Sequence, residues 1–583
     1  MNKKILIALI AIIILICAGA FALTNMQIGN GASVNVDANA LEDRGTLVVD
    51  SEDVTADKGL YTSSSSDENT VLVKNNGVLK LANSIINKTG DTSSTGDDAD
   101  FYGINSAILV NTNGSLDISN TKIVTNSKGS NGIFVTNAES SGSSSNSVSL
   151  DGNGLAEGDS SANGQGGTPP SMPSGDSDSN GGTPPSMPSS DSASNGGTPP
   201  SMPSGDSNGA PSGGDSSNMQ SNQDSVDGTT QANIENVEIT TYSDKSRGLD
   251  ATYNGIINAK NVLINTNGQS CAALATDRGE GEVHVTDSEL NTGVSKESGR
   301  GSPIIYSTGN ITVADSTGTA YVSQIACIEG KNSIELTNCD LSAAAGGNRE
   351  DNGEYVDLGG VFIYQSMSGD ADVGTSTFTA KNSILSIESD SEYYKTAPMF
   401  HVTNTKAIIN LESTELNYGG GLLLNVSGQS QWGTVGSNGG EVSFNANSVI
   451  LDGDIYVDSI SSLNLTLTST SFVGAINPDD DYGSTVVTIE SGSDWTLDGD
   501  SHITSLEKEG EINYNGHTLY VNGVAYTEEN PYWSILEKFL LWCDENHIEI
   551  YDFELKFLRF FFKNFNQKFF LIDNFPLYTI YFF

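Results

Sequence analysis

Hydrophobic positions along most of this chain follow a step of two, then three, then two. In Gly103–Asn126 (GINSAILVNTNGSLDISNTKIVTN) the apolar or small positions of the second half are Leu116, Ile118, Thr121 and Ile123, with Asn120 as the pivot. A step of two is a strand with one buried face, and the step of three marks a corner at which a new strand begins. The pattern recurs at Leu79, Leu81, Ser84 and Ile86 around Asn83, and at Ala232, Ile234, Val237 and Ile239 around Asn236. It returns at Ile257–Ile264 around Asn261, Val283–Leu290 around Asp287, Ile334–Leu341 around Asn338 and Ile409–Leu416 around Ser413, with weaker copies at Val442–Val449 and Leu465–Phe472. Pivots Asn236, Asn261, Asp287, Asp315 and Asn338 are 23 to 28 residues apart.

Coils of that length, with short strands and polar corners, predict an all-β chain folded as a single right-handed parallel β-helix. Asn and Asp suit the pivot because they tolerate left-handed backbone angles, and stacked Asn side chains can bond from coil to coil. The first half of each coil reads as a compact apolar strand, AILV at Ala107–Val110, followed by a polar corner.

One coil is split. NGIFVTN (Asn131–Asn137) reads as a first half and ANIENVEITT (Ala232–Thr241) as a second half. Between them lies a run rich in Ser, Gly, Asp and Pro, with GGTPPSMPS at Gly166–Ser174, Gly181–Ser189 and Gly196–Ser204. Such a composition buries too little apolar surface to offset the entropy of ordering it, so residues 139–231 are expected to form a disordered loop extruded from one coil. Three other stretches lengthen the same corner: Asp277–Glu282, Ser366–Ser376 and Ser427–Glu441. One edge of the solenoid therefore collects insertions, and such loops are either a binding face or tolerated additions.

The ends differ from the middle. Met1–Leu23 has Lys3 and Lys4, an apolar run from Ile5 to Ala18 and a small-residue A-x-A-like site, which reads as a signal peptide or an uncleaved anchor. Ile16 before Cys17 is bulky where a lipid-modified cysteine needs a small neighbour. Residues 24–67 read as a lead-in, 68–511 as the β-helix and 512–530 as a closing hairpin or cap. The tail 531–583 holds 12 of the 20 Phe; it is read as an amphipathic helix or as out-of-frame translation of A+T-rich DNA.

Charge narrows the partners. With 73 Asp+Glu against 26 Lys+Arg, the net charge of −47 repels phosphate backbones and argues against nucleic acid. It favours cations and basic partners. The five Cys form no CxxC pair, so buried free thiols are expected, and any membrane contact is expected through the N-terminal segment alone.

Candidate chemistry is sparse. Trp432 is the best candidate for an exposed ligand-contacting aromatic. Asp277, Arg278 and Glu280, with Asp370 and Asp372 on the next long loop, are candidate binding residues; for Asp277, Arg278, Glu280 and Glu282 the alternative is pairing within the turn. Asp479, Asp480 and Asp481 in NPDDDYG are weak calcium candidates, since hard cations take carboxylate oxygens, but they lack the spacing of an EF-hand. No other cofactor is expected. His401 and His517 stand alone and read as structural, and paired carboxylates set for glycoside cleavage are not evident.

The segments ENTVLV, DADFYGINSAILV, SRGLDATYNG, CAALATDRGEGEVHVTDSEL, SPIIYSTGNITV, IYQSMSGDADVGTSTF and WGTVGSNGG, spread over Glu68–Asn522, resemble exported right-handed β-helix surface proteins described as adhesin-like, with a pectin-lyase-like fold. The resemblance implies fold and surface location, and carries no catalytic residue. The expected function is non-catalytic adhesion to a cell-surface or matrix protein or polysaccharide. The alternatives are a carbohydrate-binding module for acidic polysaccharide, with calcium assisting, and a polysaccharide lyase or hydrolase.

Overall fold

A computed structural model describes residues 34–94, 98–138, 228–293, 301–346, 348–351, 354–480 and 482–526. The leader, most of the Pro-rich run and the Phe-rich tail lie outside the described residues, and so do the expectations placed on them.

The chain winds as a parallel β-helix. The second halves of successive coils stack into a 22-stranded sheet and the first halves into a 12-stranded sheet, with a further 4-stranded sheet toward the C-terminal end. Register is kept from coil to coil: Leu116, Ala232, Ile257 and Val283 follow one another, as do Ile118, Ile234, Ala259 and Val285. These inward rows, with Ile108, Ile133, Leu249, Leu274, Ile305, Val361 and Phe400 of the smaller sheet, form one continuous core.

The pivots are left-handed, as the step pattern requires. Asn83, Asn120, Asn236, Asn261, Asp287, Asp315, Asn338 and Ser413 all have φ between 48° and 56°. Asn236 donates to Asn120 at 3.3 Å, Asn261 to Asn236 at 2.5 Å and Asn338 to Asp315 at 3.0 Å. Each of these side chains thus bonds to the pivot side chain of the preceding coil, while a short amide or carboxylate tolerates the left-handed angle.

The split coil is one coil. Ile133–Thr136 pairs with Ile108–Asn111 and Leu249–Thr252, while Gln231–Thr241 pairs with Ser115–Thr125 and Ile256–Thr266. Thr230, inside the run expected to be disordered, is buried, donates to Asn137 Oδ1 at 2.8 Å and accepts from the Asn113 N–H at 2.9 Å. At the C-terminal end Leu519–Val521 pairs in parallel with Ser501–Ile503 and antiparallel with Val524–Ala525.

Along its middle the smaller sheet is buried on both faces. Ile133–Thr136, Leu249–Thr252, Ala326–Glu329, Val361–Tyr364 and Phe400–Thr403 are buried at every position. Alternate residues enter the solenoid, and the others form an outward row in register: Leu109, Phe134, Asp250, Ala275, Tyr306, Cys327, Phe362 and His401. Corner loops and the short helix Asp98–Phe101 lie over this row. The continuous apolar runs ILV, IFV and VFIY are the sequence mark of a strand covered on both sides.

Candidate functional site

The corner loops leave the smaller sheet and enter the larger one at a single edge. Residues 277–281 follow Leu274–Thr276, residues 365–374 follow Val361–Tyr364, and residues 427–440 follow Leu422–Val426. Beneath them the outward row carries three side-chain clusters.

The first centres on Arg247, which is buried. Its guanidinium meets Asp100 Oδ1 at 3.1 Å, Asp277 Oδ2 at 2.8 Å and Asp250 Oδ2 at 3.5 Å. Lys245 reaches the second oxygen of Asp100 at 2.8 Å. Burial pushes the Asp100 carboxyl up, but the charges and hydrogen bonds of Arg247 and Lys245 outweigh it and hold it below the usual range. The planar fork of the guanidinium presents its donors in three directions and so reaches three carboxylates at once.

The second cluster ties the loops together. Arg278 donates twice to Asp370 Oδ1, at 3.0 and 2.5 Å, and lies 4.0 Å above the centre of the Phe101 ring. Lys331, from the nearer of the coils between, that of Ala326–Glu329, bridges Glu280 at 2.6 Å and Asp372 at 3.0 Å. Tyr102 and Tyr253 stack beside Arg278 with centroids 5.8 Å apart. Five of the sequence candidates, Asp277, Arg278, Glu280, Asp370 and Asp372, therefore meet in one region. Each finds its partner on another coil.

The third cluster is apolar and aromatic. Cys327, Leu358, Phe362, Tyr364 and Trp432 form a second core outside the solenoid. Trp432 is only 7% exposed, with its ring 5.2 Å from Phe362 and 5.4 Å from Tyr364. This corrects the expectation of an exposed aromatic: the loop needs an anchor, and the large ring is buried under it. Next to it Glu329 is buried, accepting from the hydroxyls of Tyr306 at 2.8 Å, Tyr364 at 3.1 Å and Ser366. Burial is the larger influence and raises its pKa, while the three hydroxyls pull it back. His401 is buried too, 2.7 Å from Gln429 Nε2 and edge-on to Phe362, as a structural residue should be.

Of the calcium candidates, Asp479 and Asp480 sit at the same edge, between Ile476 and Ser484. Asp480 meets His502 Nδ1 at 2.6 Å, and Asp481 lies outside the described residues. Among the described residues no three His, Cys, Asp or Glu come together as a metal-binding group.

Of these clusters, sequence reasoning found the loop charges and missed Arg247 as a hub, Asp100, Glu329 and the Phe362–Trp432 core. Comparison with protein-family models, curated proteins and solved structures finds no match.

Proposed function

We propose that this is an exported, non-catalytic surface protein, adhesin-like, in which a rigid β-helix presents loops along one edge to a partner on cells or in the matrix. The observation that carries this reading is the bracing of the loops. Arg278–Asp370 and Lys331 with Glu280 and Asp372 join residues 277–281 to residues 365–374 across intervening coils, and Trp432 pins residues 427–440 back onto Val361–Tyr364. Insertions that are merely tolerated have no need of such ties. A loop held in its bound shape loses less entropy on association. Binding of the purified full chain to intact cells and to extracellular matrix proteins, measured with and without free glycans, tests it. Retention unaffected by glycans is expected; no retention on any surface overturns it.

One observation favours a carbohydrate-binding second reading. An open groove of about 960 Å³ runs along the outer face of the larger sheet, lined by Lys80, Asp117, Asn233, Asn258, Lys260 and His284. Asn233 donates to Asp117 at 2.9 Å and Asn258 to Asn233 at 3.2 Å, giving an axial ladder of one carboxylate and two amides that suits a linear polyhydroxylated chain. Competition by free polysaccharide, abolished by EDTA where calcium bridges acidic sugars, distinguishes this reading from the first.

A further inference from the structure

The braced edge ends in aliphatic tips. Met367 and Val373 on residues 365–374 are 72% and 83% exposed, Val435 on residues 427–440 is 69% exposed, and Ile460 on the next corner is 41% exposed. These are four of the eight large hydrophobic residues exposed among the described residues, and they fall on one corner of a short stretch of coils. They spring from Val361–Tyr364, Leu422–Val426 and Asp454–Val457, which with the intervening Phe400–Thr403 are consecutive in the smaller sheet. At about 4.8 Å per strand the tips span roughly 14 Å along the axis.

The loops also touch one another. Asn404, on the coil between, donates to the Gln365 carbonyl at 2.8 Å, and a Cβ on Gly433 would meet the Asn404 side chain. A Cβ on Gly428 would likewise meet Ile460. Buried anchors beneath and apolar tips above make a fixed ridge rather than scattered surface residues.

Resting on the binding-rod reading, we infer that this ridge docks a protein partner that offers an apolar recess rimmed by Lys and Arg. The rim chemistry follows from charge. The Asp372 and Asp480 side chains, though they meet Lys331 and His502, are still 74% and 69% exposed on the same edge, and the chain as a whole carries a net charge of −47. A basic rim meets that field favourably, and an anionic lipid surface or an acidic polysaccharide is repelled by it. The tips are aliphatic, while Trp432, the aromatic of these loops, is spent as a buried anchor.

The test uses the full chain and a fluorescent amphipathic peptide of Leu and Lys as probe, against oligolysine of equal charge and vesicles of phosphatidylglycerol or of phosphatidylcholine. The variant is Met367→Asp/Val373→Asp/Val435→Asp, at exposed sites where folding is not at stake. Docking on the ridge predicts that the Leu/Lys peptide binds better than oligolysine, and that the variant weakens it by about tenfold or more, as loss of central apolar contacts does. Attraction by charge alone predicts the opposite, because the variant adds three carboxylates and should bind tighter. Equal binding of both peptides, or an unaffected variant, overturns the inference. Preference for either vesicle overturns it in favour of a membrane. If the variant still binds cells like the parent chain, the ridge fails while the binding rod stands. If neither binds cells, the rod reading fails as well.

Discussion

Replacing Arg247 by Met removes a single cation that faces three buried carboxylates, Asp100, Asp250 and Asp277. The methionine fills much of the stem volume, so the loss is chiefly electrostatic. Removing one partner of a buried ion pair costs about 3–5 kcal/mol, because the charges left behind keep their desolvation penalty. Lys245 remains on Asp100 at 2.8 Å, so the lower part of that range, about 3 kcal/mol, is expected at neutral pH. The pH dependence gives the sharper check. In the parent chain Asp100 is held below its ordinary value, so its contribution is present above about pH 4 and is lost as pH falls through the depressed value. In the variant Lys245 still holds Asp100, but the buried Asp250 and Asp277 lose the guanidinium and take up protons more readily than in the unfolded chain, so the penalty is relieved as pH falls from 7 toward about 4. The gap between parent and variant must therefore narrow on acidification. Urea unfolding followed by circular dichroism, with the slope unchanged between proteins, measures it. A gap below about 1 kcal/mol at pH 7, or one that does not move with pH, would refute the reasoning. Adding Asp250→Asn and Asp277→Asn to Arg247→Met should recover part of the loss, since amides carry no charge to leave unpaired.

Four other outcomes follow from the same structure. Trp432→Ala empties the centre of the outer aromatic cluster, at a cost of about 3–5 kcal/mol to the local fold; limited proteolysis should then cut within residues 427–440 before anywhere else among the described coils. Asn261→Ala places a Cβ residue without a side-chain amide at φ 53°, costing about 1–2 kcal/mol, whereas Asn261→Gly should lose less because glycine accepts that angle; thermal unfolding of the two variants separates the terms. Glu329→Leu takes the shared acceptor from three hydroxyls and should cost about 2–4 kcal/mol, while Glu329→Gln, which keeps an acceptor, should lie within about 1 kcal/mol of the parent in the same urea titration. Burial pushes the Cys339 thiol up to about 12, so it should resist thiol reagents in the native chain and react once unfolded. Because that pKa is raised, the associated stability is whole below about pH 8.5 and declines as pH climbs toward 12.

The hydrophobic steps in the sequence determined the coil, its register and its pivots, because side-chain burial in a strand alternates and a left-handed residue is the cheapest way to turn the corner. They also determined that the loops share an edge, since an insertion can only leave where the backbone already bends. The sequence carried a further signal, the unbroken apolar runs IFV and VFIY, that the smaller sheet is covered on both faces. What covers it was not legible. Arg247 and Asp100 are 147 residues apart and Arg278 and Asp370 are 92 apart, so no local pattern marks them as partners. Only stacking, which sets coils distant in sequence a few ångströms apart, decided that the loop charges neutralise one another across coils. The same stacking turned Trp432 from a surface residue into an anchor, since a loop that folds back over the sheet gives its largest ring a dry place to go. The tertiary structure thus decided which loop residues are spent on bracing and which, Met367, Val373 and Val435, are left facing outward.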